Sequence, residues 1–169
     1  TSQWLQGDRF DGTMNYSFRE TMTDYFATKR ITNKEFADSL ANLYSMYSFE
    51  ALSSCQNLLS SHDVKRFLNR SGNNEDSILG AIFLQTTFPG IAGIYYGDEV
   101  GLGGADDPFN REPFPWHDKA SWNMTILEFT KTMMNIKNSN TILKYGRFEL
   151  LNDTEDVVIF RRILQDESL

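Results

Sequence analysis

Apolar and polar positions along this chain follow two periods, and the places where one gives way to the other mark its elements. FDGTMN, from Phe10 to Asn15, reads as a short strand. Phe18, Met22 and Tyr25 or Phe26 then fall at helical spacing. A turn over Lys29 to Thr32 follows. Asn33 suits an N-cap, and Phe36, Leu40, Leu43 and Tyr47 step by 4, 3 and 4 along one helix face. Residues 49 to 55 fit no single period. NLLSS, Asn57 to Ser61, is a short strand candidate, and DVKRFLNRSG, Asp63 to Gly72, a brief helix ended by glycine. Asp76 to Phe88 is apolar nearly all round a helix, which predicts burial between packed layers. Pro89 and Gly90 break it. IAGIYY, Ile91 to Tyr96, is the continuous apolar run of a strand buried on both faces.

A long loop rich in glycine and acids spans Gly97 to Trp116. Beyond Ser121, the positions Trp122, Ile126, Phe129, Met133 and Ile136 step by 4, 3, 4 and 3, which predicts an amphipathic helix. RFELL, Arg147 to Leu151, and DVVIFRRIL, Asp156 to Leu164, read as antiparallel strands around a turn at Asn152 to Glu155. Strand and helix alternate up to about residue 139, so an α/β fold with βα units and a parallel sheet is expected. The last two strands change character and open a different unit. Three βα units leave sheet edges that need neighbours, which suggests part of a longer protein.

Composition narrows the classes. The 169 residues are 40% hydrophobic and 23% charged, which is globular and excludes wholesale disorder. Twenty-three acids against 16 bases give a net charge of -7, which disfavours a nucleic-acid partner. The single cysteine, Cys55, supplies neither a disulfide framework nor a thiolate zinc cluster. No apolar run reaches the length of a membrane span, so no membrane partner is expected. The chain starts at Thr1 inside a segment already patterned for structure, consistent with a fragment.

Parallel α/β folds bind ligands at the C-terminal ends of their strands. Asn15 and Tyr16 follow the first strand, His62 and Asp63 the second, and Asp98, Glu99, Asp106, Asp107, Arg111 and Trp116 the third. Carboxylates, an imidazole, a guanidinium and aromatic rings on one rim suit sugars, whose hydroxyls need acceptors and paired donors while their ring faces rest on aromatics. Each feature has a plainer alternative. His62 and Asp63 also fit a helix start with Asp63 as N-cap. Asp98 and Glu99 also fit a solvated loop. The glycine-rich loop carries no lysine and no dinucleotide fingerprint, so phosphate binding is disfavoured. Asp106 and Asp107 lack the alternating oxygen spacing of a calcium loop. Sequons at Asn15, Asn69, Asn123 and Asn152 are short enough to arise by chance.

These residues also carry a resemblance. NLLSSHDVKRFL, Asn57 to Leu68, resembles the strand-seven motif of the α-amylase superfamily, glycoside hydrolase family 13. FPGIAGIYYGDEVGL, Phe88 to Leu102, is similar to its strand-eight motif, and DPFNREPFPW, Asp107 to Trp116, to the loop beyond. QWLQGDRFDGTMNYSFRE, Gln3 to Glu20, resembles the strand-six region of the cyclomaltodextrinase, neopullulanase and maltogenic amylase subgroup. Ala92 departs from the family's usual proline, for which a packing effect is expected. The resemblance implies the C-terminal part of a (β/α)8 TIM barrel, strands six to eight, over residues 1–142. Residues 143–169 would begin a C-terminal β-sandwich.

The family's nucleophilic Asp and acid/base Glu belong to strands four and five, outside this sequence. The resemblance implies retaining hydrolysis of α-1,4-glucans such as cyclodextrin, pullulan or starch oligosaccharides, without cofactor or metal. Asp63 would stabilise the transition state, His62 would donate to a hydroxyl of the same sugar, and Asp107 and Arg111 would bind the next one. Trp116 would support their loop. Alone, the fragment would be inactive. The rival reading is a non-catalytic amylase-like barrel serving as a sugar-binding or partner subunit; the intact His62–Asp63 motif favours the enzyme. A homo-oligomer is compatible with the subgroup, and a cytoplasmic location is expected.

Overall fold

The computed structural model describes residues 2–151, 157–164 and 167–168. Three short strands form a parallel sheet in the order β1 (Met14–Asn15), β2 (Gln56–Leu58) and β3 (Ile91–Gly93), with Asn15 opposite Asn57 and Asn57 opposite Ala92. Helix α1 (Tyr16–Met22) and a π-helical turn over Thr23–Ala27, then α2 (Asn33–Ser45) and α3 (Phe49–Ser54), connect β1 to β2. Helices α4 (Phe67–Arg70) and α5 (Glu75–Thr87) connect β2 to β3. The βα alternation read from the sequence is therefore present, though each strand is shorter than its apolar run.

Polar side chains bind the sheet together beneath the strand ends. Asn15 Nδ2 donates to Asn57 Oδ1 at 3.0 Å, and Asn57 Nδ2 donates to Pro89 O at 2.9 Å. Gln85, reaching in from α5, donates to Asn57 O and Gly93 O at 3.1 and 2.9 Å. Asn15 and Asn57 are buried, so each amide must be paired. Gly90 has a φ of 121°, and a Cβ there would stand 2.7 Å from Asn57 Nδ2 and 2.9 Å from Cys55 O, so only glycine lets the chain enter β3 at this point.

Phe18, Met22, Phe36, Leu40, Ile78, Ile82 and their neighbours pack the core between helices and sheet. Full burial of each such side chain contributes about 1.5–3 kcal/mol. The cap of α2 is Thr32, not Asn33. Its hydroxyl accepts from Glu35 N while the Glu35 carboxylate accepts from Thr32 N, a reciprocal pair that a threonine three residues before a glutamate makes possible. Tyr47 falls beyond α2 and packs against Leu5, Ala51 and Cys55. The run at 91–96 is a strand only to Gly93, and Ile91 is 54% exposed rather than buried on both faces. Among the described residues β3 has one strand neighbour, so one side of that strand stays open.

Helix α6 (Met124–Ser139) lies along α5. Its buried face is Ile126, Thr130, Met133 and Lys137, rotated from the expected stripe, and Ile136 is exposed. The cause is polar. Lys137 Nζ donates to Thr86 O at 3.1 Å at the C-terminal end of α5, where carbonyls without helical partners attract a cation. After α7 (Thr141–Tyr145), strands β4 (Arg147–Leu150) and β5 (Phe160–Leu164) pair antiparallel, with Arg147 opposite Ile163 and Leu150 opposite Phe160; β6 (Glu167–Ser168) pairs with β5. Phe148 of β4 packs against the Phe88 ring at 5.0 Å. Arg162 of β5, fully buried, donates to Thr87 O at 2.7 Å and to Gly146 O. The expected turn at Asn152 to Glu155 and the sequon at Asn152 lie outside the described residues.

Candidate active site

The ends of β1, β2 and β3 carry the candidate residues to one rim. Asn15 ends β1 and caps α1, its Oδ1 accepting from Phe18 N at 3.1 Å, which sets Tyr16 at the rim. The Tyr16 hydroxyl lies 3.0 Å from Ser61 Oγ and 3.5 Å from Asp63 Oδ2. Ser61 Oγ in turn accepts from Asp63 N at 3.2 Å. These contacts hold the turn Ser61–Asp63 in place. Helix α4 begins only at Phe67, so Asp63 caps no helix. The His62 and Asp63 side chains are 60% and 59% exposed, with His62 Nε2 3.2 Å from Asp63 Oδ1. An exposed pair of this kind contributes little to stability.

The loop after β3 is tied to that turn. Arg111 Nε donates to His62 O at 3.1 Å and lies 3.1 Å from Asp107 Oδ1. Asn110, 1% exposed, donates through Nδ2 to His62 O at 2.9 Å and to Val64 O at 3.1 Å. Lys65 Nζ is 3.5 Å from Asp106 Oδ2. The structure thus brings His62, Asp63, Asp107 and Arg111 together, as the sequence reading expected of neighbours on one rim.

Beneath the loop, Asp98 is buried, which overturns the solvated-loop alternative for this residue. Its carboxylate meets Arg66 Nη1 at 3.1 Å. Burial pushes its pKa up to about 6, against the opposing pull of the Ser60 hydroxyl and the Arg66 guanidinium. Glu99 accepts from Gly97 N at 2.7 Å. Trp116 is 66% exposed and packs tilted against Phe114, with ring centroids 4.3 Å apart, so its ring is largely open to solvent as well as contacting the loop. Cys55 is buried, and burial raises its pKa, which makes it inert as a nucleophile. Among the described residues no group of three or more His, Cys, Asp or Glu could hold a metal ion.

Sequence reasoning missed Arg66 and Asn110. Arg66 sits in KRFL, which reads as the charged edge of a helix, and nothing in its spacing announces a fully buried guanidinium. Asn110 lies in a loop where polar residues need no explanation.

Chemically, the rim offers an exposed carboxylate and imidazole on a fixed turn, with a second carboxylate and a guanidinium one hydrogen bond away. Such a set recognises neutral polyhydroxyl ligands by paired donors and acceptors. A parallel βα sheet with polar side chains gathered at its strand ends is the arrangement in which α/β folds bind ligands. The alpha-amylase catalytic domain matches residues 1–142, and the chain belongs to that family. Neopullulanase 2 of Thermoactinomyces vulgaris is 37% identical over 170 residues, covering 99% of this chain and 29% of that protein. The intracellular maltogenic amylase of Bacillus subtilis (strain 168) is 38% identical over 173 residues, covering 98% and 29%. The solved cyclic alpha-maltosyl-(1→6)-maltose hydrolase of Arthrobacter globiformis superposes with a TM-score of 0.93 at 32% identity, over 99% of this chain and 38% of that one. The chain therefore spans less than a third of the curated relatives named here. Its relatives are glycoside hydrolases, and its fold is a mixed α/β part of that catalytic domain.

Proposed function

We propose that this chain is the C-terminal part of an α-1,4-glucan hydrolase of the retaining type, acting on cyclodextrin, pullulan or starch oligosaccharides. Residues 1–142 supply strands six to eight of the barrel, and 143–169 begin a β-sandwich. The observation that carries this reading is Asp63: an exposed carboxylate on a turn fixed by Ser61 and Tyr16, in a position where it caps no helix. A retaining glycosidase needs a nucleophile and an acid/base. The reading places both in the portion of the protein that precedes this chain.

Asp63 then acts on charge. A fixed carboxylate beside the sugar ring favours the cation-like transition state over the neutral ground state. His62 donates to a hydroxyl of the same sugar, and Asp107 with Arg111 binds the adjacent one. The names of the relatives support the substrate class, and the word intracellular in one of them supports a cytoplasmic location. A homo-oligomer is consistent with this reading. The test is reducing-sugar release from cyclodextrin and maltooligosaccharides by the full-length protein and its Asp63→Asn variant. Turnover that collapses in the variant while its fold persists supports the assignment; unchanged turnover overturns it.

A further inference from the structure

The loop that carries Asp107 and Arg111 is long, and four of its first eight residues, Gly97 to Gly104, are glycine. The buried residue between this loop and the Asp63 turn is Arg66. Its side chain is 0% exposed, Nη1 donates to Tyr96 O at 2.8 Å and to Asp98 Oδ1 at 3.1 Å, and its own N donates to Gly104 O at 3.1 Å. The guanidinium carbon lies 4.6 Å from the Tyr95 ring centroid and 4.9 Å from that of Tyr96, a cation–π arrangement worth most when desolvated. Those rings reach the same loop: the Tyr95 hydroxyl donates to Asn110 O at 3.4 Å and the Tyr96 hydroxyl to Glu112 O at 2.9 Å. Gly104 is the close approach. A Cβ there would stand 2.5 Å from Phe109 O and 3.2 Å from Arg66 Cδ.

We propose that Arg66 is a positioning residue for the substrate rim: through Asp98, Tyr95, Tyr96 and Gly104 it fixes the Asp107–Arg111 loop in register with the turn bearing His62 and Asp63. The inference rests on the proposed glucan hydrolysis. Arg66 touches no sugar. It sets the distance between the group that acts on the reacting sugar and the groups that bind the next one. Nη1 alone makes both side-chain hydrogen bonds, so lysine keeps a cation for Asp98 but lacks the planar guanidinium that lies against the two rings.

The experiment uses the full-length protein with Arg66→Lys, Arg111→Ala and the double substitution, together with Asp98→Asn as a second variant of the same shape. kcat/KM is measured on maltotriose and maltohexaose, and amide hydrogen exchange is followed over residues 102–112 and over the strands. Arg66→Lys should lower kcat/KM about tenfold for maltohexaose and much less for maltotriose, since displacement of a binding group by a fraction of an ångström suffices. It should speed exchange at 102–112 and leave the strands unchanged, with Asp98→Asn moving both readouts the same way by less. In the Arg111→Ala background the Arg66→Lys loss should largely vanish, because both act through one loop. Equal loss on both substrates, multiplicative losses in the double variant, or unaltered loop exchange overturns the positioning role while hydrolysis stands. A wild type that releases no sugar from any α-glucan overturns the reading beneath it.

Discussion

Arg111 Nε donates to the carbonyl oxygen of His62 at 3.1 Å, a contact between residues 49 apart in sequence. It joins the loop after β3 to the turn after β2. The same guanidinium meets Asp107, so Arg111 stands between the position proposed for the reacting sugar and the one proposed for its neighbour. In the full-length protein Arg111→Ala should therefore cost about tenfold in kcat/KM on long maltooligosaccharides, or ~1.4 kcal/mol, and less on short ones. Comparing maltotriose with maltohexaose checks this. Equal losses would place Arg111 elsewhere.

The C-terminal end of α5 receives two buried cations, Lys137 and Arg162, which bond to the carbonyls of Thr86, Thr87 and Phe88. Burial, then the nearby Arg162 charge, lowers the Lys137 pKa to about 8. The folded chain thus binds this proton less tightly than the unfolded one. Between pH 8 and about 10.5 the unfolded state holds more protons, so the contribution of Lys137 to stability rises with pH in that window. Lys137→Met should flatten the rise. The check is the urea midpoint of the chain at pH 7.5, 8.5 and 9.5, wild type against variant; a difference that does not change with pH contradicts it.

Asp98 has the opposite sign. Its folded pKa is raised to about 6 by burial. Below about pH 4 both states are protonated and the group's stabilising contribution is fully present; it is lost as pH rises through 6. Asp98→Asn mimics the protonated form, so its stability relative to wild type should increase from pH 4 to pH 6.5. Thermal midpoints across that range test the sign, and a relative decrease would contradict it.

The βα alternation and the candidate rim were legible in the sequence because periodicity and strand-end placement depend on local pattern. His62 and Asp63 follow β2 as expected, and Asp107 and Arg111 join them. What stayed hidden depends on tertiary pairing. The stripe on α6 predicts Phe129 and Ile136 as inward residues; Phe129 packs half-buried against the core, but Ile136 is exposed while the adjacent Lys137 is buried on the carbonyls ending α5. Arg66 and Arg162 look like surface charges in sequence and are fully buried in the fold, because their acceptors lie 30 and 75 residues away. The resemblance implies that Trp116 supports its loop; its ring is mostly open to solvent.

On the proposed reading, the 169-residue chain alone releases no sugar, since Asp63 cannot serve as both nucleophile and acid. Purified chain should be inactive on cyclodextrin and starch in a reducing-sugar assay. Turnover that survives removal of contaminating amylase would contradict the mechanism.

On the proposed reading Asp63 acts on the transition state and not on the fold. The most direct measurement is kcat for maltohexaose hydrolysis by the full-length protein and by Asp63→Asn, with circular dichroism and the thermal midpoint of each. Loss of a fixed charge beside the reacting sugar predicts a fall in kcat of roughly 10²–10³, about 3–4 kcal/mol of barrier, with the thermal midpoint unchanged. His62→Ala should fall less, because a neutral donor interacts more weakly than a charge. An Asp63→Asn variant that hydrolyses maltohexaose at the wild-type rate would contradict the account.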